Sequence, residues 1–436
     1  MEFFNPGGSL KDRVGKRTVR DLEEKGLIKK GDTLIEATSG NCGIGIAMLS
    51  AIKGYKAIIT MSDKMSLEKK YVLNSMGAEC IRTPNDAPFN TPESFIGVAQ
   101  RLNKEIKSSR FLDQYSDDSN ALVNYDETAE ELWNDLDGKV DYVVITTGTG
   151  GTITGIARKF KERNPNVKIV GVDPVGSQMA LPKSLNEKKC TFKVEGIGYD
   201  FVPKNLDQNV VDIWYKCEDK DSFLMARRLI REEGLLVGGS AGSAVWAAID
   251  LAKTLPEDKR VCVIICDGVR NYMSKFISDD WMIENEFYDE GEVEKASDNL
   301  KYNKVYGQEK QISYLIEKLK LAPSISIEET QTIEDTIKLM KEKNIEYIPI
   351  LSRSNGNLMG FTQIDLITQK LLIGYLKSTD LVKRVITTEF KKLSGNEFIN
   401  RLSRAFVHKN YVSVTDKGKM YTILPVHLIE FMKSEN

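Results

Sequence analysis

The sequence predicts an α/β fold with parallel sheets in its first part, followed by a smaller α+β region of two paired modules. In residues 1–288, β-rich apolar runs alternate with amphipathic helical patterns, which indicates parallel strands covered by helices on both faces. From residue 288 to 303 the composition becomes acidic and polar, as is typical of a linker. Beyond it, two segments of about 60 residues repeat one order of strands and helices, which indicates two similar modules.

Eight apolar runs are predicted to be the strands of the first part. They are Thr33–Thr38, Lys56–Met61, Glu79–Thr83, Phe111–Tyr115, Tyr142–Thr147, Lys168–Val172, Val210–Trp214 and Val261–Cys266. Amphipathic segments such as Ile44–Ile52 and Ile153–Glu162 lie between several of them. Because helical segments rather than tight hairpins separate several of the strands, the strands are expected to pair in parallel.

We expect a first domain over residues 1–288, a linker over 289–312, and paired modules over 313–376 and 377–436. The first module is predicted from a helical pattern at Thr332–Lys343, strands at Glu346–Leu351 and Leu358–Thr362, and a helix from Ile364. The second is predicted from a helical pattern at Asn396–Phe406, a strand at Tyr411–Thr415 and a run from Met420 to Met432. The alternative is a single α+β domain whose halves are similar by accident.

Composition excludes several classes of function. The chain of 436 residues is 41% apolar and 28% charged, as is ordinary for a globular protein. Its net charge of −2 gives no reason to expect a nucleic acid or an anionic membrane as partner. No apolar run approaches the roughly 18 residues of a spanning helix, and no signal peptide is recognisable, so we expect a cytoplasmic protein.

The six cysteines form no CxxC pair, and only two histidines accompany them, which argues against a zinc site and a disulfide framework. We therefore expect no metal site and a reducing, intracellular setting. Cys262 and Cys266 are expected to lie on one face of a strand as buried core thiols.

A first candidate site surrounds Lys11, in the run Pro6–Arg13 that leads into the helical pattern Val14–Lys25. The glycines of this run permit a tight turn, and Ser9 is the expected N-cap. The positive end of the helix dipole would lower the pKa of a lysine here, as a Schiff-base nucleophile requires. The alternative is an exposed basic residue on a helix.

Three further segments are rich in glycine and hydroxyl side chains. Thr38–Gly43 and Gly148–Thr152 each follow a strand and open a helix, where backbone N–H groups bind a phosphate or carboxylate. The second does not fit the dinucleotide fingerprint GxGxxG, because residue 153 is Ile. Gly238–Ser243 would either allow close helix–sheet packing or admit a flat ring beside Ser240. Any one of these segments alone could equally well be a tight connection between two elements and not a ligand site.

These motifs carry a resemblance. Gly-Gly-Ser-Leu-Lys-Asp-Arg resembles the lysine signature of the fold-type II β-family of pyridoxal-phosphate (PLP) enzymes, and Thr-Ser-Gly-Asn, Gly-Thr-Gly-Gly-Thr and Gly-Gly-Ser-Ala-Gly-Ser follow in that family's order. Glu195–Pro203 and Asp267–Phe276 are similar to the cystathionine β-synthase family in particular. The C-terminal repeats resemble the paired regulatory modules named after that enzyme. The resemblance implies a fold-type II enzyme of two parallel-sheet lobes followed by a regulatory (CBS-type) domain.

The resemblance also implies roles for individual residues. Lys11 would hold PLP covalently and move the α-proton of the substrate. The cofactor phosphate would be bound by Gly148, Thr149, Gly150, Gly151 and Thr152. Asn41 would hydrogen-bond the ring oxygen, and Ser240 would contact the pyridine nitrogen. The substrate carboxylate would be bound by Thr38, Ser39, Asn41 and Gln114, and the second substrate would be bordered by Tyr115, Gly198 and Tyr199.

The implied reaction is a β-replacement that condenses L-serine with L-homocysteine to cystathionine and water, with hydrogen sulfide release when cysteine replaces serine. The implied partners are amino-acid substrates and a second copy of the chain, as a homodimer or a higher homo-oligomer. Two alternatives are a cysteine synthase that uses O-acetylserine and sulfide, and a catalytically silent nucleotide-sensing protein.

Some segments depart from the family pattern. Family members have several tens of residues before the lysine motif, including a strand and, in some, the ligands of a haem, so we expect that strand region to be missing and no haem. Cys42 stands where a threonine is usual. The first module keeps the ribose-binding pattern Thr362-x-x-Asp365, whereas the second has Leu424-Pro-Val-His427. We therefore expect no adenosyl effector, such as S-adenosylmethionine, at the second module.

Overall fold

A computed structural model describes residues 1–84, 87–288, 310–372, 374, 376–387, 390–406 and 410–435. The chain divides into two compact units, Met1–Val293 and Glu294–Asn436, which are called unit 1 and unit 2 below. Most of the predicted linker over residues 289–312 lies outside the described residues. No helix in the described part of the chain is long and apolar enough to cross a membrane.

Unit 1 contains two four-stranded sheets, and all strand pairs in both are parallel. The first sheet has the order β3-β2-β1-β4 and consists of β1 (Thr33–Ala37), β2 (Lys56–Ser62), β3 (Glu79–Thr83) and β4 (Ser109–Phe111). The second has the order β7-β6-β5-β8 and consists of β5 (Tyr142–Thr146), β6 (Lys168–Pro174), β7 (Ile213–Cys217) and β8 (Val261–Val263). The predicted α/β class with parallel sheets is thereby confirmed.

Helices cover these sheets, as parallel connections require. They are α1 (Lys11–Glu24), α2 (Asn41–Lys53), α3 (Leu67–Ser75), α4 (Phe95–Glu105), α5 (Ser119–Val123), α6 (Ala129–Asp135), α7 (Gly151–Arg163), α8 (Asp219–Glu233), α9 (Gly239–Ala252) and α10 (Asp279–Glu284). All five residues of β1 are buried, as expected for a strand covered on both faces. Helix α1 is amphipathic and turns Val14, Val19 and Leu22 into the core.

Three predicted strands of unit 1 are wrong in their bounds. β4 ends at Phe111 rather than Tyr115, because Asp113 has a left-handed backbone (φ 53°) that no strand continues through. β7 begins at Ile213 rather than Val210, because a 3₁₀ turn over Gln208–Val210 precedes it. β8 ends at Val263, so Cys266 is not on a strand, although Cys262 and Cys266 are both partly buried and pack against the same core cluster.

Unit 2 contains two three-stranded sheets of identical connectivity. The first consists of β9 (Ile327–Glu328), β10 (Tyr347–Leu351) and β11 (Leu358–Gln363), and the second of β12 (Lys391–Ser394), β13 (Val412–Asp416) and β14 (Lys419–Ile423). In each sheet the first two strands pair in parallel and the last two form an antiparallel pair. The helices are α11 (Ile312–Lys318), α12 (Ile333–Lys343), α13 (Ile364–Leu372), α14 (Asn400–Ala405) and α15 (Pro425–Glu435). This repeated connectivity is what the predicted paired modules require.

Candidate active site

A pocket lies in unit 1, where strands of both sheets end and helices begin. The start of α1, the loop after β1, the loop after β5, the start of α9 and the loop after β8 all contribute to it. Its lining residues are Ser9, Leu10, Lys11, Ser39, Asn41, Thr146, Gly148, Thr149, Gly150, Thr152, Ile153, Gly196, Ile197, Ser240, Cys266 and Asp267. The pocket thus brings together six segments that are far apart in the sequence.

Lys11 is the first residue of α1, and its Nζ donates a hydrogen bond to Thr149 Oγ1 at 3.2 Å. The predicted N-cap is wrong, because Leu10 occupies that position. Ser9 Oγ instead accepts from the Lys11 backbone N–H at 3.2 Å. Burial of the amino group lowers the pKa of Lys11, while Cys42 and other groups oppose the shift. Burial, rather than the helix dipole on which the sequence argument rested, is therefore the main cause of this lowered pKa.

The Gly148–Thr152 loop forms a tight cradle at the N-terminus of α7. Gly150 has a left-handed backbone (φ 88°), and a Cβ there would lie 2.5 Å from the backbone of Leu206. A Cβ on Gly151 would lie 2.2 Å from Asn120 Oδ1, so Gly151 packs against Asn120 and is absent from the pocket lining. The first N–H groups of a helix have no acceptor within the helix, so this end of α7 suits an anion such as a phosphate.

Asn41 is the first residue of α2 and lines the same pocket. Its Nδ2 donates to Asp267 Oδ2 at 2.7 Å, and its Oδ1 accepts from Asn271 Nδ2 at 3.3 Å. These two partners fix which way the carboxamide points. A carboxamide nitrogen carries two N–H groups, so one remains for a ligand in the pocket.

Ser240 is the second residue of α9 and contributes a neutral hydroxyl to the pocket. The preceding Gly238 serves a packing purpose, because a Cβ there would lie 2.0 Å from Asp267 Oδ1. Gly242 does the same on the other side of α9, where a Cβ would lie 1.8 Å from the Ser222 carbonyl oxygen. Close packing is therefore confirmed for Gly238 and Gly242, whereas the flat ring beside Ser240 stays a prediction.

The structure places only some of the predicted substrate residues on the pocket wall. Ser39 lines the pocket, whereas Thr38, Gln114, Tyr115, Gly198 and Tyr199 lie outside its lining. The backbone of β1 and the loop after it hold the first two of these: Thr38 Oγ1 accepts from the Gly40 N–H, and Gln114 Nε2 donates to the Ala37 carbonyl.

Tyr115 and Tyr199 form an edge-to-face pair with a 3.3 Å contact between their hydroxyl groups. Burial raises the pKa of Tyr199 to about 12, while hydrogen bonds with Tyr115 and Ser39 act in the opposite direction. The tyrosine pair is therefore linked to the pocket by the hydrogen bond between Tyr199 and Ser39, which lines the pocket. Gly198 has a left-handed backbone (φ 78°) and lies against Pro174 and Phe192, where a Cβ would clash.

Sequence reasoning missed three polar groups at this site. Asp267 and Cys266 line the pocket, and both follow the strand β8. A carboxylate just after a strand of a parallel sheet is a signal that could have identified Asp267. Glu36 is fully buried in β1, and burial raises its pKa well above the ordinary value. Its place within the predicted strand Thr33–Thr38, in a sheet covered on both faces, is a signal that could have identified Glu36.

The residues present fit pyridoxal phosphate. The site offers an amine with a lowered pKa, an N-terminal cradle for a phosphate, a carboxamide with a free N–H and a small neutral hydroxyl, all around one pocket. Within the described ranges, no three His, Cys, Asp or Glu side chains come together as metal ligands.

Comparison with known proteins supports this fit. Residues 1–267 match the family model described as pyridoxal-phosphate dependent enzyme, and residues 317–361 match the CBS domain. A cystathionine beta-synthase of Dictyostelium discoideum is 46% identical, over 100% of this chain and 87% of the relative. That of Mus musculus is 47% identical, over 92% and 70%, and that of Saccharomyces cerevisiae is 42% identical, over 96% and 85%.

Solved structures agree with these sequence relatives. A hydrogen sulfide-producing enzyme from Fusobacterium nucleatum is similar with a TM-score of 0.59 and 35% identity, over 62% of this chain and 89% of that one. O-ureido-L-serine synthase is similar with a TM-score of 0.58 and 30% identity, over 64% and 89%. The predicted family, fold class and cofactor are therefore confirmed. This chain belongs to the cystathionine β-synthase family of pyridoxal-phosphate dependent enzymes, with CBS-domain sequence in its second unit.

Proposed function

We propose that this chain condenses L-serine with L-homocysteine to cystathionine and water by β-replacement at the pocket around Lys11. The observation that carries the proposal is the convergence of Lys11, the Gly148–Thr152 cradle, Asn41 and Ser240 on one pocket. The shared name of the relatives, whose sequences match this chain at 42–47% identity, supports the choice of reaction.

When bound, pyridoxal phosphate supplies an electron sink that makes the α-proton of an amino acid acidic and its β-hydroxyl group able to leave. Lys11 Nζ would hold the cofactor covalently and later take up the α-proton, because the lowered pKa of Lys11 favours a neutral amine. Thr149 Oγ1, 3.2 Å from that nitrogen, would orient it.

The cofactor would be held at three points. The cradle Gly148, Thr149, Gly150, Gly151 and Thr152 would bind the phosphate with backbone N–H groups and hydroxyls. Asn41 would donate to the ring oxygen with the N–H that Asp267 leaves free. Ser240 would face the pyridine nitrogen with a hydroxyl, which leaves the ring unprotonated and favours elimination over transamination.

The amino-acid carboxylate would be bound by Ser39 at the pocket wall and by Thr38, Asn41 and Gln114 beside it. Gln114 is 4% exposed, and its Oε1 has no hydrogen-bond partner in the part of the chain that the structure describes. An unpaired buried amide oxygen is costly, so a bound group that satisfies it would be favoured. Tyr115, Gly198 and Tyr199 would border the second substrate.

The test is the visible absorption spectrum of the purified chain, with a matched assay of cystathionine formation. We expect an absorption band that shifts when L-serine is added and returns when L-homocysteine follows. Lys11→Arg keeps a long basic side chain but cannot hold the cofactor covalently, and we expect the band to disappear and the rate to fall by about 10²–10⁴-fold.

The two alternatives predict different outcomes. A higher kcat/KM with O-acetylserine and sulfide than with serine and homocysteine would identify a cysteine synthase instead. A protein that stays colourless after incubation with pyridoxal phosphate would contradict both enzymes and favour the silent sensor. The Fusobacterium nucleatum enzyme is named for producing hydrogen sulfide, and for this chain we propose that cysteine in place of serine releases it, which is tested by measuring sulfide when cysteine is the substrate.

For unit 2 we propose one adenosyl ligand site, at the sheet of β9, β10 and β11. Thr362 is 1% exposed, and its Oγ1 has no partner among the described residues, while Asp365 is exposed three residues later. At the corresponding place in the second sheet, His427 Nδ1 accepts from the Leu424 N–H at 3.2 Å and is already used. Calorimetric titration with S-adenosylmethionine should therefore give at most one site per chain, and Asp365→Asn should abolish it.

We further propose that the protein is cytoplasmic and forms a homodimer or a higher homo-oligomer. Six cysteines that are all free support the reducing compartment. Cell fractionation and the molar mass measured by light scattering test the two statements separately, and a monomer at micromolar concentration would contradict the second.

A further inference from the structure

A chain of buried polar side chains leads from the pocket to the helix α3. Asn41 Nδ2 donates to Asp267 Oδ2, and the Tyr272 hydroxyl donates to the same oxygen. Lys69 Nζ contacts the Tyr272 oxygen at 3.2 Å and Glu195 Oε2 at 2.8 Å. All five side chains are at least nine-tenths buried, so solvent does not compete for these contacts.

We propose that Asp267 and Tyr272 are positioning residues that fix the Asn41 carboxamide with its nitrogen toward Asp267 and one N–H free for the cofactor. The proposal rests on the role of Asn41 proposed above and deepens it. We expect neither Asp267 nor Tyr272 to touch the reacting atoms. Both would act through Asn41.

The hydrogen bonds to Asp267 allow only one orientation of the Asn41 carboxamide. Asp267 Oδ2 accepts from both Asn41 and Tyr272, so it is an unprotonated oxygen. A carboxamide turned the other way would point its carbonyl oxygen at this carboxylate oxygen, and the two acceptors would repel. Asn41 is therefore held as a donor, which suits the oxygen of a ligand and disfavours a ligand that donates.

The surroundings favour the charged carboxylate only in part. Burial raises the pKa of Asp267, while Lys69, Tyr272 and Asn41 lower it. Its Oδ1 lacks a hydrogen-bond partner among the residues that the structure describes, and it lies where a Cβ of Gly238 would be 2.0 Å away. The absence of a side chain at residue 238 thus leaves room for the carboxylate to face Asn41.

A double-mutant cycle tests whether Asp267 acts through Asn41. Apoprotein of the wild type, Asn41→Ala, Asp267→Asn and the double variant is titrated with pyridoxal phosphate, and the dissociation constant is read from tryptophan fluorescence. We expect each single substitution to weaken binding about tenfold, the effect of one charge-assisted hydrogen bond, and the double variant to weaken it about tenfold rather than a hundredfold. Independent effects that multiply would overturn the proposal.

The same cycle separates this proposal from the role of Asn41 itself. If Asn41→Ala binds pyridoxal phosphate as tightly as the wild type, then Asn41 is not a ligand and the proposed site is wrong at that residue. If Asn41→Ala weakens binding but Asp267→Asn does not, only the positioning role is refuted.

Two further variants keep the test informative if Asp267→Asn does not fold. Gly238→Ala would push the carboxylate aside, whereas Gly268→Ala, on the other flank of Asp267, meets no atom closer than 3.5 Å. We expect the first to raise the dissociation constant several-fold and to change the ratio of the bound cofactor's visible bands, and the second to do neither. Equal effects of the two substitutions would contradict the proposal.

The contribution of Tyr272 is tested with Tyr272→Phe, which keeps the ring and removes the hydroxyl. Tyr55→Phe is the matched control, because the Tyr55 hydroxyl also donates to a carboxylate, Glu23, away from the pocket. We expect Tyr272→Phe to weaken cofactor binding about threefold to tenfold, and Tyr55→Phe to leave it unchanged. An unchanged dissociation constant for Tyr272→Phe would remove Tyr272 from the proposal.

Discussion

The ion pair between Lys69 and Glu195 offers a sharp test of how unit 1 is held together. Its Nζ and Oε2 atoms are 2.8 Å apart, and the two side chains are 0% and 3% exposed. Lys69→Met removes the ammonium group but fills most of its volume. Glu195 would then be a buried carboxylate without its cation, and we expect the free energy of unfolding to fall by about 3–5 kcal/mol.

That loss corresponds to a measurable shift of Tm. A unit of about 290 residues has an unfolding entropy of about 0.6 kcal/mol/K, so Tm should fall by about 5–8 °C. Tryptophan fluorescence reports this unit selectively, because all four tryptophans, Trp133, Trp214, Trp246 and Trp281, belong to unit 1.

Two comparison variants make the interpretation of that shift specific. In Lys69→Met/Glu195→Gln the lone charge is gone, so most of the lost stability should return. Lys53→Met breaks the pair of Lys53 and Glu23, whose side chains are 38% and 30% exposed, and should cost less than about 1 kcal/mol. A loss below about 1 kcal/mol for Lys69→Met, or a double variant no more stable than the single one, would refute the reasoning.

Three further predictions concern other parts of the chain. Burial raises the pKa of Glu36, so the native state keeps a proton that the unfolded chain releases, and stability should fall as the pH rises above about 4.5; Glu36→Gln should flatten this dependence in urea unfolding followed by tryptophan fluorescence. Burial lowers the pKa of His427 below its ordinary value of 6.5, so protonation in acid should release the Leu424 N–H, and the protection of this N–H relative to its intrinsic exchange rate should fall below pH 6.5 in the wild type but not in His427→Gln. Gly151→Ala should cost about 1–3 kcal/mol, measured by the same unfolding assay, because its Cβ would lie 2.2 Å from Asn120 Oδ1.

The positions of the glycine-rich loops could be predicted because their signals are local. Thr38–Gly43 and Gly148–Thr152 each sit between a strand and a helix, and a parallel sheet brings such loops to one edge. The lysine motif was predicted in the same way, from the turn before α1 and its sequence. The strand bounds that were wrong depended on a left-handed Asp113 and on a 3₁₀ turn, both of which tertiary packing selects.

The contacts that orient the site could not be predicted, because they join residues distant in the sequence. Asn41 and Asp267 are 226 positions apart, and Lys69 and Tyr272 are 203 apart. Likewise, the lowered pKa of Lys11 was argued from the helix dipole, whereas burial by the surrounding loops is its main cause. A local pattern can identify an amine at a helix start, but only the assembled pocket shows how strongly it is desolvated.

The same desolvation that makes Lys11 a useful amine also works against the stability of the apoprotein. Burial favours the neutral forms of Lys11, Glu36 and Cys42 alike, since it lowers the pKa of the first and raises those of the other two. In water each group would take its ordinary protonation state, so at neutral pH the fold holds Glu36 and Lys11 away from the charged states that they would prefer when unfolded. A cofactor that bonds to the Lys11 amine would remove one of these penalties, because the fold would no longer have to hold a free amine in its neutral form. Cofactor binding should therefore raise the free energy of unfolding of unit 1 by more than the contacts of the cofactor alone would contribute.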